Sequence, residues 1–198
     1  MPVRAVFLVG FMGSGKNRVG QELARRLGWD FVDLDARIEA RERQSISEIF
    51  RLRGESAFRS AETSVLRDLL ANALHRDSVI ALGGGAFVQE TNRALLRDWP
   101  TVFLEAPADE LWRRCQQDGR ERPLRKNAAQ FASLYGERLP FYRQASLVVE
   151  TTGKTIASIC EEIQQRLALR VGQDDTLALD SSHGPAKKPP KNRATKKS

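Results

Sequence analysis

Seven consecutive residues, Gly10-Phe11-Met12-Gly13-Ser14-Gly15-Lys16, have the composition of a phosphate cradle. Glycines at this spacing let successive backbone N–H groups turn toward one anion. The start of a helix adds partial positive charge, and a lysine in this place reaches the outer phosphates of a nucleotide. The alternative is a glycine-rich surface turn with a solvated lysine. A strand-like run before the loop and a helix-like run after it argue against that. So does the lysine itself, the sole one in the first 125 residues of a chain that otherwise uses arginine. A dinucleotide loop is disfavoured, because Arg18 stands where the third glycine of G-x-G-x-x-G is needed.

The residue after such a lysine is expected to be Ser or Thr, whose hydroxyl ligates Mg²⁺, and here it is Asn17, followed by Arg18. Asn17 offers a neutral carbonyl oxygen, and Mg²⁺ held through water is the alternative to direct ligation. Asp33 and Asp35 end a short apolar run, and alternation on a strand would send them to opposite sides. One can then hold the hydrated metal while the other orients or deprotonates a hydroxyl. The alternative is that the two acids cap the next helix. Gly83-Gly84-Gly85 closes another apolar run and exposes backbone N–H groups to something that approaches closely, at a place where α/β sheets bind ligands. Arg59 and Arg138, taken singly, are ordinary solvated helix residues. The polar stretch 118–127, with Arg120, Arg122 and Arg125, has the character of a lid that brings a guanidinium onto a transferring phosphoryl group.

The elements that must position these groups follow from periodicity. Buried strands are predicted at 3–9, 31–35, 78–82, 101–105 and 146–150. Val19, Leu23 and Leu27, ending at Gly28, mark the first helix. Two short helices are predicted around Ile38 and around Ile46, Ile49 and Phe50, the second capped by Ser45. Further helices are predicted at 56–74, 90–98, 108–117 and 128–138, and a last one striped by Ile156, Ile159, Cys160, Ile163 and Leu167. Strands apolar on both faces and alternating with helices predict a parallel sheet covered on both sides.

Composition narrows the function classes. The 198 residues carry two cysteines and two histidines, which removes a disulfide framework, a His-rich zinc site and a Ser-His-Asp hydrolase. No apolar run approaches membrane-spanning length and no signal-peptide pattern opens the chain, so a cytoplasmic protein is expected, with no membrane partner. The formal net charge of +7 suggests nucleic acid, yet +3 of it belongs to the Ser-, Pro- and Lys-rich residues 172–198. That segment is expected to be a disordered basic tail, with residues 1–171 forming a single domain and no nucleic-acid partner.

Taken in order, Gly-Phe-Met-Gly-Ser-Gly-Lys at 10–16, Asp-Leu-Asp at 33–35, Gly-Glu-x-x-Phe-Arg at 54–59, Gly-Gly-Gly at 83–85, Arg-Pro-Leu at 122–124 and Glu-Arg-x-Pro-x-Tyr at 137–142 resemble the shikimate kinase family from about Val3 to Leu167. The resemblance implies a three-layer α/β fold like that of nucleoside monophosphate kinases, built on a five-stranded parallel sheet, with a lid at about 116–128. It implies transfer of the γ-phosphoryl of ATP to the 3-hydroxyl of shikimate, with one Mg²⁺, by a monomer. Carried over by position, Gly13, Ser14, Gly15, Lys16, Asn17 and Arg18 bind ATP, while Lys16 and Arg122 stabilise charge on its phosphates. Asp35 binds the substrate hydroxyls and serves as base, Arg59 and Arg138 clamp the carboxylate, and Gly84 packs against the ring. Asn17 and Asp33 serve the metal, and residues 152–154 contact adenine. Asn17-Arg18 departs from the family's Ser/Thr followed by Thr. That departure leaves two other readings to weigh, a catalytically weakened binding protein and a related kinase such as one for gluconate.

Overall fold

A computed structural model describes residues 3–73, 76–117 and 127–169. The lid residues 118–126, with Arg122, and the predicted tail 172–198 lie outside the described residues.

Five strands, β1 (Ala5–Val9), β2 (Asp30–Asp33), β3 (Ser78–Ala81), β4 (Thr101–Glu105) and β5 (Leu147–Glu150), form one sheet in the order β2-β3-β1-β4-β5. Every pairing is parallel, with Phe7 in register with Ile80 on one side and Thr101 on the other. A strand in the middle of a parallel sheet is covered on both faces, so β1 is apolar at all five positions and all five are buried. Its side chains alternate between two cores. Ala5, Phe7 and Val9 join one, and Val6 and Leu8 join the other.

The second core is closed by α1 (Lys16–Leu27) and α7 (Ile156–Arg166), which pack on each other. Val19, Leu23 and Leu27 lie on one face of α1 and are buried, worth roughly 1.5–3 kcal/mol each relative to exposure. Gly28 ends the helix in the left-handed conformation, as its sequence position predicts. On the first core's face lie α2 (Leu34–Glu42), α3 (Ile46–Ala73), α4 (Glu90–Leu95), α5 (Ala108–Gln117) and α6 (Ala128–Tyr142). No helix among the described residues is long and apolar enough to cross a membrane.

Several boundaries differ from expectation. Ser45 does cap α3, accepting from Glu48 N–H at 3.2 Å while Glu48 accepts from Ser45 N–H at 2.8 Å. Gly54 (φ 80°, ψ 172°) is non-helical and separates two helical segments within 46–73, in keeping with the two helices expected there. A 3₁₀ turn over Ala86–Val88, unforeseen in the sequence, follows the triple glycine. Helix α6 passes through Pro140 to Tyr142 instead of stopping at 138. A proline removes one hydrogen bond and crowds the carbonyl four residues back, which favours termination. Here the helix holds because Tyr142, fully buried, packs on Phe103 and donates to the Gly84 carbonyl.

The acids at 33 and 35 are the clearest correction. Strand β2 ends at Asp33, and Asp35 lies in the first turn of α2, so strand alternation does not govern them. Asp33 Oδ1 caps that helix, accepting from the N–H groups of Asp35 at 2.9 Å and Ala36 at 3.4 Å. Capping was the alternative for this pair; it holds for Asp33 and leaves the Asp35 carboxyl to other contacts.

Candidate active site

The loop between β1 and α1 lies at the C-terminal end of the central strand, and the triple glycine lies at the same end of its neighbour β3. In an open parallel sheet this end holds the ligand crevice. Gly13 shows why the loop needs its glycines. Its φ is 80°, and a Cβ there would stand 2.6 Å from the Leu111 carbonyl oxygen and 2.9 Å from Cys115 Sγ. The loop is thus seated directly on α5. Ser14 is buried within it, and Gly15 opens α1 in a left-handed conformation. Lys16 Nζ donates to the carbonyls of Gly10 and Phe11, both at 2.9 Å, so the ammonium is held by the loop that it serves.

Asn17, in the first turn of α1, donates through Nδ2 to Asp33 Oδ2 at 2.5 Å. A carboxylate only accepts, so the amide must present its NH₂ to Asp33, and Oδ1 is the polar atom left over. Arg18 is exposed and borders a surface cleft shared with Gln21 and Glu22 of α1 and Ile156 of α7. Thr152–Lys154 follow β5. There Lys154 Nζ pairs with Glu162 at 2.6 Å.

Around the three glycines Asp35, Arg59 and Arg138 converge. A Cβ on Gly83 would lie 2.5 Å from Asp35 Oδ1 and 3.1 Å from Glu62 Oε1. One on Gly85 would lie 2.7 Å from both Arg59 Nη atoms. Arg138 Nη1 donates to the Gly84 carbonyl at 3.2 Å, with its guanidinium 5.7 Å above the Phe11 ring. The glycines therefore clear room for charged side chains in addition to any ligand. Burial pushes the Asp35 carboxyl up from its ordinary value, the Asp33 charge adds to that, and Lys16 and Arg59 pull it back. A raised carboxyl beside a phosphate loop suits proton acceptance from a hydroxyl.

The sequence reading assigned no role to Glu62, Gln89 or Tyr142. Glu62 is buried, with Oε2 accepting from Arg59 Nη1 at 3.0 Å and from Gln89 Nε2 at 2.6 Å. Its Oε1 is buried without a hydrogen-bond partner among the described residues. The available signal was a glutamate three residues after Arg59, hence on the same helical face, next to apolar positions 58, 61 and 65. Burial pushes its carboxyl up to about 7, against the opposing pull of Arg59.

That shift fixes a pH dependence. Between 4.5, its ordinary value, and about 7 the folded chain keeps a proton that the unfolded chain releases, so stability falls as pH rises through this window. Glu62→Gln removes the slope. From pH 4.5 to 8 the wild type should lose roughly 2–3 kcal/mol relative to this variant in urea unfolding. A difference that does not change with pH would contradict the assignment.

The donor set near the loop also tests the fit of a divalent cation. Among the described residues, no group of three or more His, Cys, Asp or Glu side chains is placed to hold a metal ion. What is present is one amide and one carboxylate, Asn17 and Asp33, beside a phosphate loop. That suits Mg²⁺, which is bound by one or two protein oxygens together with substrate phosphates and water.

A parallel sheet with a phosphate loop after its central strand, faced by a carboxyl group and two guanidinium groups, defines an ATP-dependent phosphotransferase with an alcohol acceptor. Comparison with known proteins narrows the class. The shikimate kinase family model matches residues 12–168. The shikimate kinase of Chromobacterium violaceum is 44% identical over 184 residues, covering 90% of this chain and 92% of that one. Among solved structures, shikimate kinase from Acinetobacter baumannii in complex with shikimate aligns with a TM-score of 0.76 at 34% identity, covering 86% of this chain and 96% of that one. The enzyme from Bacteroides thetaiotaomicron aligns with a TM-score of 0.76 at 33% identity, covering 83% and 98%. The chain belongs to the shikimate kinase family.

Proposed function

We propose that this chain transfers the γ-phosphoryl group of ATP to the 3-hydroxyl of shikimate, giving shikimate 3-phosphate and ADP. The observation that carries this reading is the convergence of Asp35, Arg59 and Arg138 on Gly83–Gly85, next to the loop that ends in Lys16. A carboxylic acid with several hydroxyls suits those groups. Two guanidiniums offer a planar grip on a carboxylate, and one carboxylate can take a hydroxyl proton. Gly84 leaves the ring room to approach.

In the transfer step the acceptor oxygen forms a bond to Pγ, the bond from Pγ to the bridging oxygen of ADP breaks, and the hydroxyl proton passes to Asp35. Lys16 leaves the loop carbonyls for the phosphates, joined by the N–H groups of Gly13, Ser14 and Gly15. Arg18 stands at the edge of the α-phosphate site, and Arg122 keeps the charge-stabilising role that the resemblance gives it. Asn17, assisted by Asp33, would hold Mg²⁺, which, when bound, would neutralise charge on the phosphates. We place the enzyme in the cytoplasm as a monomer. A weakened binding protein and a gluconate kinase are not favoured, since the relatives above carry the name shikimate kinase. The test is a coupled ADP-release assay with shikimate, ATP and Mg²⁺. Turnover is expected, and its absence with folded protein would overturn the proposal.

A further inference from the structure

Asn17 and Asp33 stand where the family resemblance calls for a metal-ligating hydroxyl and an acid that assists it, yet here they are bonded to each other. Both carboxylate oxygens of Asp33 are engaged, Oδ1 by the first N–H groups of α2 and Oδ2 by Asn17 Nδ2. The carboxylate thus accepts at both ends, and it dictates which way the Asn17 amide faces. The amide is fixed at its nitrogen end in a way that leaves its carbonyl oxygen to point elsewhere. A serine hydroxyl would have to donate and ligate through one and the same oxygen. The amide is longer and carries its donor and its acceptor on separate atoms.

We propose that in this chain the divalent cation that accompanies the nucleotide takes the neutral Oδ1 of Asn17 as its protein ligand, and that Asp33 is a positioning residue that acts on the metal only by orienting that amide. This deepens the ATP-dependent reading above and rests on it. It divides between the two residues a role that the sequence assigns to both. The metal then has a neutral protein ligand, and its affinity depends on the phosphates and on the orientation of one amide.

Asp33 provides an experimental handle, because asparagine caps a helix as well as aspartate does. In Asp33→Asn the substituted side chain keeps its carbonyl oxygen on the first N–H groups of α2. Its NH₂ then faces Asn17, which can meet it only by turning its own carbonyl inward and presenting NH₂ to the metal. Asn17→Leu removes the ligand while nearly keeping the shape. The experiment counts free Mn²⁺ by electron paramagnetic resonance while the metal is titrated into the full-length chain saturated with ADP. It compares wild type, Asp33→Asn, Asn17→Leu and the double variant. Each single substitution should weaken Mn²⁺ binding by about tenfold or more. The double variant should be no more than about threefold weaker than Asn17→Leu, since an orienting residue has nothing left to orient. Each protein is saturated with ADP at its own measured affinity, and a urea-unfolding midpoint close to wild type in all four excludes a general loss of structure.

Asp33→Asn costing as much in the Asn17→Leu background as in wild type would overturn the proposal, because the Asp33 charge would then act on the metal directly. Asn17→Leu that keeps wild-type Mn²⁺ affinity would overturn it too. Wild-type protein that binds ADP with no Mn²⁺ would refute the metal assignment while leaving nucleotide binding in place. Protein that binds neither would refute the ATP-dependent reading, and with it this inference.

Discussion

Replacing Asp35 with asparagine should lower kcat by about 10³-fold, within the 10²–10⁴ range that a positioned acid or base contributes, while the KM for ATP stays within about threefold. The substitution keeps the shape of the side chain. Its amide fits the space that Gly83 clears, where a Cβ would already stand 2.5 Å from Asp35 Oδ1. What it removes is the proposed proton acceptor, whose carboxyl burial has pushed up and which the neighbouring Asp33 pushes further. The coupled assay gives both constants. A loss below about tenfold would mean that solvent takes the proton and that Asp35 only orients the acceptor.

The second large effect belongs to Arg138. Arg138→Ala should raise the dissociation constant for shikimate by about 10²-fold, as expected when a charge-assisted pair is lost, and leave that for ADP unchanged. Arg138→Lys should recover little, since an ammonium cannot reproduce the planar fork. Arg138 is a cleaner choice than Arg59. Arg59 also pairs with Glu55 and with buried Glu62, so its removal would leave Glu62 buried beside the Gln89 amide alone. Calorimetric titration with shikimate and with its methyl ester separates the effects. Wild type should discriminate strongly between acid and ester, and Arg138→Ala should not. If the variant binds shikimate within about threefold of wild type, Arg138 does not grip the carboxylate.

Much of this site was legible because its parts are contiguous in sequence. The phosphate loop needs only one turn of backbone, so glycine spacing and a single lysine specify it. The strands could be read from apolar runs because every central position of a parallel sheet is buried. What was not legible depends on contacts between distant segments. Pro140 signals a helix end, and only the pairing of Tyr142 with Phe103 and with the Gly84 carbonyl carries α6 past it. Glu62 had no role assigned from sequence, because only the fold buries it against Gly83 and Gln89. The error at Asp33 and Asp35 was a boundary of two residues, but it changed the geometry. An aspartate at the end of a strand caps the next helix so well that the helix begins at once, placing Asp35 on a helix. Asn17 was recognised as a departure from the sequence alone, whereas its bond to Asp33 required the two segments to be brought together.

The most direct measurement is identification of the product. With shikimate, ATP and Mg²⁺, the coupled assay run alongside ³¹P nuclear magnetic resonance should show ADP and one phosphorylated acid appearing in equal amounts, with the phosphate correlated to the proton on carbon 3. ADP release without a phosphorylated acid, or a phosphate on another hydroxyl, would contradict the placement of Asp35 as base and of the two arginines as the carboxylate grip.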